Sequence, residues 1–196
     1  MARWRIRTVD PMKKYVAYGI GAALVDTEIK VQDEELAQMN VDKGMMTLVD
    51  EARQAQLLAH LQGHLVKASH ASGGSAGNSM IATAQFGGPT FMSCKVAADR
   101  DGDIYLADLA AAGVDHGLNG CRAAGTTGKC LVLITPDAER SMNTFLGISE
   151  TLSVEDVHAA AIAASEYLYI EGYLVTSSTG LAAAVKLEGL FVGDSG

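Results

Sequence analysis

Two stretches of the sequence carry residue types that bind hydroxyl groups. Asp26 follows an apolar segment, and its carboxylate can accept hydrogen bonds from two neighbouring hydroxyls of a ligand at once. The segment 72–78 (SGGSAGN) contains three glycines, which let backbone N–H groups approach a ligand, and it ends at Asn78, whose amide both donates and accepts. A water-facing turn at Asp26 and an ordinary flexible loop at 72–78 are the alternatives. Both stretches suit the recognition of a sugar-like molecule, and neither alone requires it.

Three other motifs match known sites only in part. Residues 19–24 (GIGAAL) begin like a dinucleotide-binding turn, but leucine replaces the third glycine and a strand is predicted to follow. Residues 125–130 (GTTGKC) resemble a phosphate-binding loop, but they lack its first glycine and lead into a strand. His60 and His64 have the spacing of zinc ligands on a helix, but Leu61 stands where a zinc protease has glutamate. Tight turns and a partly exposed helix explain these motifs better than ligand sites do.

Composition excludes several classes of protein. The 196 residues are 48% hydrophobic and 19% charged, which is enough apolar material for a folded core. The net charge of −8 gives no field that would hold a nucleic-acid backbone, and no apolar run approaches the length of a membrane span. The three cysteines include no CxxC pair, which is typical of a reducing compartment. The sequence therefore predicts a soluble, cytoplasmic, globular protein without nucleic-acid or membrane partners.

The elements that must position these residues alternate between strands and helices. Strands are predicted at 15–20, 24–31, 44–49, 90–97, 129–135, 140–148 and 167–170, and helices at 32–38, 50–67, 79–86, 101–112, 154–165 and 178–186. The glycine-rich segment 69–78 is predicted to be a loop. Such alternation is typical of an α/β fold with a largely parallel sheet. The half-polar segments near 24–31 and 117–122 fit that core poorly, so we predict that they form a small β lid over it.

Five segments together resemble one kinase family. They are GIGAALVD (19–26), GGSAGN (73–78), KVAADRDGD (95–103), GKCLVLITPDAERSMNTFLG (128–147) and YIEGYL (169–174). In this combination the chain resembles the ribokinase-like, or PfkB-type, carbohydrate and nucleoside kinases, and most of all the bacterial adenosine-kinase-like sugar kinases. The resemblance runs from about residue 15 to residue 186. It departs from the family's signatures at Met80 and at Ala97, where smaller residues are usual.

The resemblance implies the fold and the roles of several residues. It implies a ribokinase-like α/β fold in which ATP donates its γ-phosphoryl group to a hydroxymethyl group of a sugar or nucleoside. In such a fold Asp26, Gly73, Gly74 and Asn78 would bind the hydroxyls of the acceptor. The resemblance therefore turns the two hydroxyl-binding stretches into one expected substrate site.

Two further residues are candidates for the same substrate site. Arg140 lies in a matched segment and could reach a substrate or a phosphate, although a surface salt bridge explains it equally well. Glu171 ends a predicted central strand, at the edge where α/β proteins bind ligands, although a structural hydrogen bond also explains it.

Motifs that the family carries further along the chain do not appear in this sequence. They are the GAGD-like motif with the catalytic base, the NxxE motif for Mg²⁺ and the ATP-binding segments, while residues 193–196 (GDSG) offer only a Gly-Asp step. We therefore expect a truncated chain with the C-terminal half missing. In this expectation residues 1–186 are the N-terminal part of a single ribokinase-like domain, with lid strands at about 24–49 and 114–148. Residues 187–196 would be an aberrant tail.

Two classes of function follow from the resemblance. The first is ATP-dependent phosphorylation of a sugar or nucleoside, with ATP and Mg²⁺ as implied cofactors and with no catalytic base or metal ligand assigned in this chain. The second is a non-catalytic fragment that binds the sugar or nucleoside weakly or associates through an uncovered sheet edge. A dehydrogenase built on the GIGAAL turn is a distant third. The lid strands are also a surface through which two copies could pair as a homodimer.

Overall fold

The chain builds two sheets, one parallel and one mixed, with helices packed on both. The computed structural model describes residues 12–64, 69–118 and 122–193. The strands are β1 (Tyr15–Ile20), β2 (Leu24–Lys30), β3 (Met46–Leu48), β4 (Ser69–Gly73), β5 (Thr90–Ser93), β6 (Asp115–His116), β7 (Gly128–Ile134), β8 (Arg140–Phe145) and β9 (Ser165–Ile170). The α-helices are α1 (Asp33–Gln38), α2 (Glu51–His60), α3 (Ser75–Gln85), α4 (Arg100–Ala112), α5 (Ala159–Ala163) and α6 (Ser178–Gly193). Short 3-10 helices cover Gly147–Thr151, Val154–Asp156 and Gly172–Thr176.

The parallel sheet forms the core, with the strand order β6-β5-β1-β9. Helices α3 and α4 cover one face, where Met80 and Tyr105 are buried, and α5 and α6 cover the other, where Tyr18 and Ile162 are buried. Because both faces are covered, β1 is an almost continuous apolar run rather than an alternating one. The predicted α/β class with a mainly parallel central sheet is confirmed.

The mixed sheet has the order β3-β8-β7-β2-β4 and contains β2, β3, β7 and β8 from the predicted lid segments. Strand β2 runs parallel to β7 and antiparallel to β4. One face packs on α1 and α2 through Ile29, Leu131 and Leu57. Side chains of the opposite face, including Asp26 and Met142, line a cavity.

Two strands differ from their predicted places. The predicted loop at 69–78 contains β4, whose backbone pairs with β2 from Leu24 opposite Gly73 to Glu28 opposite Ser69. This strand forms because β2 offers a free edge, although the sequence SHASG has little strand propensity of its own. Strand β6 lies in the parallel sheet beside β5, not in the lid predicted for 114–148.

Several helices also differ in length from their predictions. Helix α2 ends at His60, and α3 begins at Ser75 rather than at residue 79. The predicted helix at 154–165 is divided into the 3-10 helix Val154–Asp156 and the five-residue α5, because Val157 between them has extended backbone angles. Helix α6 continues to Gly193 through part of the predicted tail. None of the helices in the described part of the chain is long and apolar enough to cross a membrane.

A three-residue connection, 21–23, joins β1 of the parallel sheet to β2 of the mixed sheet. The Ala22 N–H donates to the Glu171 carboxylate at 2.7 Å, and the Ala23 N–H donates to the Ser149 hydroxyl at 3.0 Å. Ser149 in turn donates to the Ala23 carbonyl at 3.1 Å. The turn between the sheets is thus held by side chains from distant parts of the chain. Because the strand β2 follows it, the GIGAAL motif presents no helix N-terminus to a dinucleotide.

Candidate functional site

A cavity of about 330 Å³ opens between the first turn of α3 and the face of the mixed sheet that carries Asp26 and Met142. Five of the six residues predicted for the substrate site line it, namely Asp26, Gly74, Asn78, Arg140 and Glu171. The sixth, Gly73, lies directly against the Asp26 side chain. The structure therefore brings together residues that are up to 145 positions apart in the sequence.

Asp26 lies in β2 between Ala71 of β4 and Cys130 of β7, and its side chain is half-buried. Burial raises the pKa of this carboxyl from 3.8 to about 6; Arg140 opposes the rise and Glu28 adds to it. Within the described residues no group donates a hydrogen bond to the carboxylate. With a pKa of about 6, Asp26 is mostly ionised at neutral pH, and its carboxylate lies against Gly73 at the border of the cavity.

Gly73 and Gly74 make room for this arrangement. A side chain at Gly73 would overlap the Asp26 carboxylate, so the carboxylate can lie across the end of β4 only because Gly73 has none. Gly74 precedes α3 with φ of +83°, and an added Cβ would stand 2.5 Å from the Ala22 carbonyl oxygen. The sequence predicts that these glycines admit a ligand to the backbone. The structure shows that Gly73 leaves room for the side chain of Asp26 and that Gly74 leaves room for the Ala22 carbonyl.

Glu171 follows β9 and is 3% exposed. One of its carboxylate oxygens accepts hydrogen bonds from the Ser75 N–H at 3.0 Å, the Ser75 hydroxyl at 2.6 Å and the Ala76 N–H at 3.4 Å. The other oxygen accepts from the Ala22 N–H at 2.7 Å. Because Gly74 has no side chain to cap α3, Glu171 caps the helix from a distant strand. Its carboxylate borders the cavity, but the protein already supplies its donors.

Asn78 and Arg140 approach the cavity from opposite sides. Asn78 lies in the first turn of α3, and its exposed side chain lines the cavity. Arg140 begins β8 and makes a 3.1 Å ion pair with Glu28, in which both side chains are about half exposed. The two explanations proposed for Arg140, a salt bridge and a place beside the substrate, are therefore compatible. Its charge favours the ionised form of Asp26.

An apolar wall on the mixed sheet was not predicted. Leu24, Met46, Leu48 and Met142 line the cavity, and Leu48 is 49% exposed. Strand β3 places Met46 beside Met142 of β8, so two residues far apart in sequence form one surface. Locally, only the alternation of Met46 and Leu48 around a threonine indicates this wall, because the residues that lie beside them on β8 depend on strand register. Tyr173, 52% exposed, also lines the cavity.

Metal ligation and thiol chemistry find no support in the described residues. No group of three or more His, Cys, Asp or Glu side chains in the described ranges could hold a metal ion. His64 lies beyond the end of α2, and its Nε2 is 2.9 Å from a carboxylate oxygen of Glu35. The Cys130 thiol lines the cavity, but burial raises its pKa to about 11, so it is protonated at neutral pH. The described residues therefore contain no cluster of three or more such side chains for the Mg²⁺ that the resemblance implies.

Comparison with known proteins gives consistent matches. Residues 38–187 match the pfkB family carbohydrate kinases. The structure is similar to a probable sugar kinase from Rhizobium etli CFN 42 (TM-score 0.85) and to an adenosine kinase from Sinorhizobium meliloti (TM-score 0.84), both with 34% sequence identity. An Anopheles gambiae adenosine kinase, solved in complex with P1,P4-di(adenosine-5) tetraphosphate, shares the fold with a TM-score of 0.80 at 20% identity.

The chain spans about half the length of these solved proteins. Each of the two bacterial comparisons covers 93% of this chain and 54% of the other, and the Anopheles gambiae comparison covers 92% and 56%. No curated protein matches the chain in sequence.

Proposed function

Because the chain belongs to the pfkB family of carbohydrate kinases, we propose that its cavity binds the alcohol that a kinase of this family phosphorylates. The alcohol is a sugar or a nucleoside, and its hydroxymethyl group would receive the γ-phosphoryl group of ATP. The observation that carries this proposal is the Asp26 carboxylate, which is ionised, borders the cavity and has no donor among the described residues. Such a carboxylate is suited to two neighbouring hydroxyls of one ligand.

The energetics favour hydroxyl donors at this place. Hydrogen bonds to a charged acceptor contribute roughly 1.5–3 kcal/mol each, more than bonds between neutral groups. Asp26 is already partly desolvated, so a bound hydroxyl replaces little water and relieves the cost that raises its pKa. Asn78 adds an amide that can donate to one ligand oxygen and accept from another. Ligand binding should therefore favour the ionised Asp26 and weaken as the pH falls below about 6.

The apolar wall favours a nucleoside over a free sugar. Leu48, Met46 and Met142 offer no hydrogen-bond partners, so the hydroxyls of a free sugar would lose water there without replacement. The flat, apolar faces of a base would instead gain from contact with these side chains. The similarity to the Sinorhizobium meliloti adenosine kinase agrees with this choice. Adenosine is therefore the first ligand to test.

The described residues account for acceptor binding and not for the whole transfer. Phosphoryl transfer needs a base for the acceptor hydroxyl and groups that bind the phosphates, and we assign neither among these residues. In our proposal the described residues bind the alcohol that accepts the phosphoryl group. The second candidate is a non-catalytic module that binds the same acceptor, because the Asp26 carboxylate and the apolar wall would serve such a module equally well.

Titration calorimetry on the whole chain tests the proposal. We expect wild-type protein to bind adenosine more tightly than fructose, and Asp26→Ala to weaken adenosine binding at least tenfold with an unchanged circular dichroism spectrum. Asp42→Ala, which removes an exposed carboxylate outside the cavity, is the matched control and should bind as wild type does. Equal affinity of folded Asp26→Ala and wild type would show that the site is elsewhere. A coupled assay with ATP, Mg²⁺ and adenosine then separates a kinase, which turns over, from a binding module, which does not.

A further inference from the structure

The N-terminus of α3 already contains a carboxylate. The first turn of a helix presents unpaired N–H groups and the positive end of the helix dipole, so it attracts anions such as phosphate. In this protein the Glu171 carboxylate accepts hydrogen bonds from the Ser75 and Ala76 N–H groups. Helix α3 has 11 residues, which is long enough for the dipole to matter. The place beside the cavity where a ligand phosphate would bind is therefore filled by the protein itself.

We propose that Glu171 is a specificity-determining residue that restricts the cavity to uncharged alcohols and excludes phosphorylated ones. This inference rests on the proposed function, because it concerns which acceptors the same cavity admits. The sequence offers Glu171 either as a residue that binds the substrate or as one that makes a structural hydrogen bond. Its four donors, all from the protein, indicate that it acts instead through the helix that it caps and through the charge that it brings.

The charges around the cavity support this inference. Asp26 and Glu171 contribute two carboxylates, and Arg140 is the one cation among the described residues that line the cavity. Arg140 is itself paired with Glu28 at 3.1 Å, so a ligand phosphate would compete with a carboxylate of the protein for it. A phosphate group entering this cavity would meet two like charges and find the strongest anion-binding donors occupied. A neutral polyol meets neither obstacle, since its hydroxyls donate to Asp26.

The packing around Glu171 shows that its position is closely defined. Gly21 leaves room for the carboxylate, because an added Cβ there would stand 2.7 Å from a Glu171 oxygen and 2.6 Å from the Cβ of Ala76. The Ala22 N–H on one side and the Ser75 hydroxyl on the other hold the two oxygens in different directions. A ligand phosphate could reach the α3 donors only by displacing a group with hydrogen bonds on both sides.

Phosphate binding by Glu171 variants tests the inference without any acceptor. Wild type, Glu171→Gln and Glu171→Ala are titrated with inorganic phosphate by calorimetry at pH 7.5 and constant ionic strength. We expect no measurable binding to wild type. We expect Glu171→Ala, where charge and side chain are both removed, to bind phosphate about tenfold or more above the detection limit set by wild type, and Glu171→Gln to bind it less tightly than Glu171→Ala. Glu155→Gln is the matched control, because it removes the same charge from an exposed residue outside the cavity.

The outcomes distinguish the inference from a purely structural role. If Glu171 only stabilises the fold, its variants lose stability and gain no phosphate binding, and the inference is wrong. If Glu171→Ala does not fold, Glu171→Gln decides, and phosphate affinity no higher than in wild type and Glu155→Gln overturns the inference. A gain for a Glu171 variant alone supports it. Because adenosine is absent from these titrations, failure of wild type to bind adenosine counts against the proposed function and leaves the phosphate result intact.

Discussion

Asp26 and Glu171 border the same cavity from different sheets, and the protein treats the two carboxylates in opposite ways. Glu171, after β9 of the parallel sheet, is 3% exposed and accepts hydrogen bonds from three residues. Asp26, in β2 of the mixed sheet, is more exposed, yet burial raises its pKa to about 6 and no described residue donates to it. Glu171 is the more deeply buried of the two, but backbone N–H groups replace the water that its carboxylate loses.

Glu171 stabilises the structure around the cavity, whereas Asp26 is available to a ligand. A buried carboxylate with donors on both oxygens stabilises the fold and has little left to offer a substrate. A carboxylate that is desolvated without partners destabilises the fold and gains when a ligand supplies donors. Each of the following changes tests one side of this contrast.

The largest effect is expected from Glu171→Ala. The substitution leaves the N–H groups of Ala22, Ser75 and Ala76 without their acceptor, and the bonds from Ala22 and Ala76 are buried. The free energy of unfolding, measured by urea denaturation, should fall by roughly 3 kcal/mol or more. Asp26→Ala is the matched truncation on the other sheet and should cost far less. Equal losses for the two variants would remove the contrast between the residues.

A smaller effect of opposite sign is expected from Asp26→Asn. The pKa of Asp26 is higher in the folded protein, at about 6, than its ordinary value of 3.8, so the folded state binds the proton more tightly. Its contribution to stability is therefore greatest below pH 4 and is lost as the pH rises through 6. With allowance for solvent screening of a partly exposed group, Asp26→Asn should be more stable than wild type by roughly 1–2 kcal/mol at pH 8.

Urea denaturation at two pH values checks this expectation. The advantage of Asp26→Asn over wild type should disappear at pH 4, where the wild-type carboxyl is also neutral. Asp42→Asn removes an exposed carboxylate outside the cavity, and its free energy of unfolding should match that of wild type at both pH values. An advantage that is the same at pH 4 and pH 8 would mean that the charge of Asp26 is not the cause.

The smallest effect concerns the neighbours of Asp26. Arg140 lowers the pKa of Asp26 and Glu28 raises it, and both act through partly exposed side chains. Arg140→Gln should therefore raise the pKa of Asp26 by a few tenths of a unit, and Glu28→Gln should lower it by a similar amount. Carbon-detected NMR titration of the Asp26 carboxyl measures both shifts. Shifts in the same direction for the two variants would contradict the assigned charges.

Much of the fold could be predicted from local sequence. The apolar runs of β1 and β7, and the end of α4 at Gly113 with φ of +75°, follow directly from residue types. The family resemblance and the ribokinase-like α/β class are confirmed by the match of residues 38–187 and by the similar solved structures. These features depend on a few neighbouring residues, and so a single sequence is enough to find them.

The parts that could not be predicted depend on pairing between distant segments. Strand β4 has the sequence SHASG, and only the free edge of β2 makes it a strand. The apolar wall depends on the register that sets Met46 beside Met142. The donors around Glu171 come from α3 and from the turn after β1, which no local pattern connects to residue 171. Residue type and resemblance predict the candidate residues of the site, and the geometry shows how their contacts within the protein differ.

The turn between the two sheets has a consequence for the order in which the protein folds. Its two N–H groups are held by Ser149 and Glu171, which follow Ala23 and Ala22 by 126 and 149 positions. Contacts between such distant positions have a high closure entropy, and they form late relative to local helices and hairpins. On the ribosome, Asp26 emerges long before the segments that complete its surroundings. The surroundings of Asp26 at the cavity should therefore form late, although Asp26 itself is synthesised early.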